Sequence, residues 1–141
     1  MLNKKYESLI LYYSLFVCLL VISAFIVFAQ NIGFSNEQIL SYYSQKTILG
    51  LLKVNLPHTL LFGLFSMVNL HFLLFTSAKG ELRFLTPTLY TFAALELLSP
   101  LIILFGLEFF SYVKLASLIG FTFVTLYICA LLARSILFES K

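Results

Sequence analysis

Four stretches of this chain, Leu9 to Ala29, Asn55 to Thr76, Thr86 to Phe105 and Glu108 to Phe138, are apolar almost without interruption. A helix crosses the hydrocarbon core of a bilayer with about 20 mostly apolar residues, so each stretch is long enough to span. Inside lipid only a helix or a closed barrel satisfies its own backbone polar groups. With their short connections the four stretches use up nearly all of the 141 residues, and the chain is 61% hydrophobic and 11% charged. Soluble domains carry roughly 25% charged residues. The expected fold is therefore all-α: a single integral membrane domain forming a four-helix bundle, with helices at about 9–29, 55–76, 86–105 and 108–138.

Basic residues set the orientation. Lys4, Lys5, Lys79, Arg83, Arg134 and Lys141 fall on one side of this topology, while Lys46, Lys53 and Lys114 fall on or toward the other. The positive-inside rule then puts both termini in the cytoplasm. A net charge of +3 spread over such positions does not point to nucleic acid. The rival reading of the first stretch is a cleaved signal peptide, since Val27-Phe28-Ala29 resembles a cleavage site. Its apolar run exceeds the roughly 7–15 residues of a secretory core, so a retained helix is expected. Cys18 and Cys129 each sit within an apolar run and read as small core residues.

Gln30 to Leu56 is the one sizeable connection, with an interfacial segment at about 35–52 inside it. Ser35 and Gln38 have capping-box spacing, so a short helix is expected to start there. Tyr42, Tyr43 and the alternating apolar residues suit a segment lying on the outer membrane surface as a linker. Asn55 followed by Pro57, and Thr86 followed by Pro87, read as cap-plus-proline helix entries. Gly106 is placed to end the third span.

The polar residues inside the spans are the candidate site residues. Asn55, Thr59, Gly63, Ser66 and Asn69 fall on an arc of roughly 120° and are expected to form a packing stripe against neighbouring helices. On that reading Gly63→Leu should be worse tolerated than Gly106→Leu. His58 and His71 lie roughly 20 Å apart along one helix and about 140° apart around it, so they cannot share a ligand. Two readings stand for them: neutral histidines bonded to neighbouring helices, or axial ligands of a b-type haem. The second needs a homodimer or another subunit, because no other histidine is present. Glu96 lies mid-span, where a carboxylate is costly, and Pro100 has no N–H for the carbonyl of residue 96. In an antiparallel hairpin turning near Gly106, Lys114 reaches the depth of Glu96. The two are expected to pair.

Gly33-Phe34-Ser35, Tyr42-Tyr43, Pro57-His58, His71-Phe72-Leu73-Leu74-Phe75-Thr76 and Glu96-x-x-x-Pro100 together resemble a group of small four-helix bacterial inner-membrane proteins with no assigned activity. The resemblance covers about residues 33–130. In that group a further histidine often stands two residues before the first; here the position is Leu56, which argues against carrying a metal or haem role over to His58. Some members have Asp where this chain has Glu96, which implies that an acid is wanted there.

No nucleophile with a base in reach marks an enzyme. The expected role is an accessory or binding subunit of a larger inner-membrane assembly, with the bilayer and other membrane subunits as partners. The competing classes are a b-haem redox protein using His58 or His71 and a proton-coupled transporter or channel using Glu96.

Overall fold

The computed structural model describes residues 4–138; Lys141 and the side chains of Lys4 and Lys5, which entered the charge count, lie outside the described part. The chain forms α1 (Lys4–Asn31), α2 (Asn36–Ser44), α3 (Ile48–Leu73), a 3-10 turn (Ser77–Glu81), α4 (Leu82–Leu104) and α5 (Phe110–Phe138). Four of these, α1, α3, α4 and α5, are long and apolar enough to cross a membrane. No strand occurs among the described residues.

α2 begins at the capping box. The Gln38 amide donates to Ser35 Oγ and the Ser35 amide to Gln38 Oε1, each at 3.2 Å, satisfying two N–H groups that the first turn leaves without partners. The short helix expected in the first outer loop is present, and it does more than link. Ile39 and Tyr43, one turn apart, are buried with Phe28, Leu51, Ile103 and Leu118, so α2 packs onto the ends of α4 and α5. Burying Ile39 fully contributes about 1.5–3 kcal/mol. Asn36 Oδ1 accepts from Ser111 Oγ across the same junction.

Residues 48–52 belong to α3, not to the connection, and this moves the second span's start from Asn55 to Ile48. Thr47 is the cap, its Oγ1 accepting from the Gly50 amide at 3.1 Å. Pro57 therefore lies inside α3, and Pro87 inside α4, which starts at Leu82 and not at the Thr86-Pro87 pair. Proline removes one N–H but does not end a helix whose apolar surface is anchored in lipid and protein. α3 ends at Leu73 and α5 starts at Phe110, both within three residues of the expected bounds. Gly106 does end the third span, at φ 91°, with its amide on Ile103 O at 2.9 Å. A left-handed residue after a helix is the usual glycine stop.

α4 and α5 share the broadest interface; α1 packs on α5 and α3 on α4, while α1 and α3 scarcely meet. α5 is thus the centre of the bundle, with Lys114, Ser117, Phe121, Thr125, Ile128 and Leu132 buried along one face. α4 and α5 approach so closely at Gly120 that a Cβ there would lie 2.5 Å from the Phe92 ring. The bundle is left with an open side between α1 and α3.

Candidate functional site

Pro100 lies inside α4 and leaves the Glu96 carbonyl without its helical donor. Lys114 of α5 fills the gap: its Nζ donates to Glu96 O at 2.9 Å and forms an ion pair with Glu96 Oε1. Ser99 Oγ donates to the same carbonyl at 3.4 Å. Tyr43 of α2 closes over the pair, with Lys114 Nζ 5.6 Å from its ring centroid. Burial first, then the Glu96 carboxylate and Tyr42, push the Tyr43 phenol well above the ordinary tyrosine value. Both partners of the pair are buried, at 5% and 9% side-chain exposure. This enclosed pair ties α4 to α5.

The stripe on α3 divides. Asn55, Ser66 and Asn69 face protein, whereas Thr59 and Gly63 are exposed. At 100° per residue the first three occupy an arc of roughly 60°, and Thr59 and Gly63 lie beyond its edge. Asn55 Nδ2 donates to Leu97 O of α4 at 2.9 Å, so the expected cap residue is an interhelical tie. Thr59 turns back to Asn55 O of its own helix at 2.8 Å. A Cβ at Gly63 would meet nothing within 4 Å, so packing against a neighbour is not what holds that position small.

Ser66 and Asn69 belong to a cleft of about 210 Å³ on the open side of the bundle, between α1 and α3 with α5 as its back wall. Phe62, Phe65 and Phe121 supply much of its apolar surface; the Phe62 and Phe121 ring centroids are 4.5 Å apart. Ser66 Oγ, Asn69 Nδ2, Asn69 Oδ1 and Thr125 Oγ1 are buried and have no hydrogen-bond partner among the described residues. All three side chains line the cleft. Leaving a polar group buried and unpaired costs about 1–3 kcal/mol, and here several are gathered at one place.

His58 lines the same cleft from α3. Its Nδ1 is 2.7 Å from Val54 O; a carbonyl only accepts, so Nδ1 carries the proton and Nε2 of the neutral ring is an acceptor. His71 is exposed on the far part of α3, edge-on to Phe75 at 5.1 Å, and does not line the cleft. No group of three metal-ligating side chains occurs among the described residues. A cleft of this volume falls below the roughly 300–1,000 Å³ of sites for drug-sized ligands, and a haem macrocycle is larger than it admits.

Thr122 and Thr125 of α5 were not among the candidates read from the sequence. The signal was available: Ser111, Lys114, Ser117 and Thr125 recur at helical spacing through an apolar span, the same kind of pattern that drew attention to α3. A family model described as a transmembrane helical domain matches residues 33–141. No curated protein and no solved structure matches the chain.

Proposed function

From the premise that the chain belongs to the Aq_1264_TM family of transmembrane helical domains, we propose that this small multi-pass membrane protein is a binding subunit that holds a membrane-borne molecule in the cleft between α1, α3 and α5. The observation that carries the reading is the cluster of unpartnered polar atoms on Ser66, Asn69 and Thr125 in an otherwise apolar cleft. Their polar atoms are shielded on the wall of the cleft, and a buried polar group without a partner calls for one. The Glu96–Lys114 pair does not line the cleft and acts as its scaffold. The location proposed is the inner membrane, with both termini cytoplasmic. Lys79 and Arg83 at the α3–α4 turn and Arg134 near the end of α5 lie at one end of the bundle, opposite Lys46 and Lys53.

The test is mass spectrometry of the protein purified in mild detergent, beside an Ala24→Phe variant that fills the cleft from α1. A small molecule retained by the first and lost from the second is the expected result. Equal retention by both would overturn the reading.

A further inference from the structure

The geometry points to a ligand class for this cleft: a neutral single-ring head carrying carbonyl or hydroxyl oxygens on an apolar tail, the chemistry of a membrane quinone or quinol. The inference rests on the binding-subunit reading above and narrows it.

Size comes first. An engineered apolar cavity of about 150 Å³ takes up benzene, so about 210 Å³ holds one substituted ring and the first carbons of a tail. The cavity is also long. Asn69 and His58 both line it, and eleven residues of helix separate them by roughly 16 Å. A slot of that shape suits a ring followed by a chain.

Polarity then restricts the head. Asn69 offers two donors and an acceptor, and the Ser66 and Thr125 hydroxyls can each donate or accept. Ketone oxygens would take the donors, and quinol hydroxyls would serve the acceptors. No Lys, Arg, Asp or Glu lines the cleft, and a buried charge without a partner is strongly disfavoured, so phosphate, carboxylate and ammonium heads have no counterpart. Phe62, Phe65 and Phe121 line the cleft, and a planar ring packs well beside aromatic side chains. Because α1 and α3 scarcely meet, a tail can leave sideways between these two helices into lipid.

The experiment measures binding to the full chain in phosphatidylcholine nanodiscs by equilibrium dialysis. The probes are a decyl-substituted dimethoxymethyl-benzoquinone, its quinol, n-decanol and decyl phosphate. Saturable one-site binding of the quinone or quinol is expected. Asn69→Leu and Thr125→Val should each weaken it by about tenfold or more, while their melting temperatures stay the same or rise. A purely structural role for these side chains would lower the melting temperature instead. His58→Ala, at the far end of the slot, should change binding less than about twofold. Decanol bound through Asn69 with the quinone and quinol excluded would overturn the ring assignment and leave the binding-subunit reading standing. Preferential binding of decyl phosphate would overturn the neutral head. Binding of no probe would overturn the ligand class and leave the cleft reading to the mass-spectrometric test, whereas binding indifferent to both Asn69→Leu and Ala24→Phe would overturn the cleft reading as well.

Discussion

At the scale of single residues, Glu96 and Lys114 tie α4 to α5. Removing one member of a buried pair strands the other, at a cost of about 3–5 kcal/mol. Glu96→Gln and Lys114→Met should therefore each lower the melting temperature in detergent, and the double variant should recover part of the loss; losses that simply add would mean the two act independently. The glycines make a second case. Gly63 has open space around its Cα, so Gly63→Leu should be neutral or stabilising by up to about 1 kcal/mol through helix propensity. Gly106 sits at φ 91°, where a branched side chain costs about 1–3 kcal/mol. Thermal unfolding of the two leucine variants should rank them in the reverse of the order that the small-residue stripe implied. Spacing along one helix tells which residues share an arc, but the neighbour that covers part of the arc is a tertiary fact. For that reason Asn55, Ser66 and Asn69 could not be separated from Thr59 and Gly63 by sequence alone.

At the scale of elements, the spans were legible and their entries were not. Apolar length identifies α1, α3, α4 and α5 because lipid imposes it. Pro57 and Pro87 pointed to the wrong starts because both lie in helices begun earlier, by the Thr47 cap and by the 3-10 turn before Leu82. α2 was found through Ser35 and Gln38, yet its docking depends on a groove between α4 and α5 that no local pattern describes. Tyr43 makes that docking sensitive to alkali. Its phenol is raised in the folded protein, so a docked Tyr43 stays protonated where an undocked one, with an ordinary value of about 10, ionises. The stabilisation is complete below that value and is lost progressively as pH rises from it toward the raised value of the folded protein. Protease cleavage within α2 should accelerate above about pH 10, and Tyr43→Phe should flatten this dependence. An identical pH profile in the variant would mean that other groups govern it.

For the whole molecule, everything proposed about the cleft depends on α1 leaning on α5 and leaving α3 uncovered, and the chain carries its own reporter of that arrangement. Cys18 of α1 packs against Cys129 of α5, and both are free thiols. Hydropathy alone shows that α1 spans; it says nothing of which helix α1 meets, because an evenly apolar helix has no face to read. The buried residues of α1, among them Ile10, Ser14, Val17 and Val21, recur every three or four positions and so form one stripe, aligned with Cys18 on the next turn. Iodine partitions into membranes and oxidises two adjacent thiols to a disulfide with loss of two protons and formation of two iodides. Treated membranes should then yield a peptide pair linked through Cys18 and Cys129 by mass spectrometry, and neither Cys18→Ser nor Cys129→Ser should yield it. A disulfide forms only with Cα atoms within about 7 Å, so the link reports direct contact of the two helices. If oxidation gave only links between different copies of the chain, α1 would pack on a neighbouring molecule, and the slot between α1 and α3 would lose the wall that defines it.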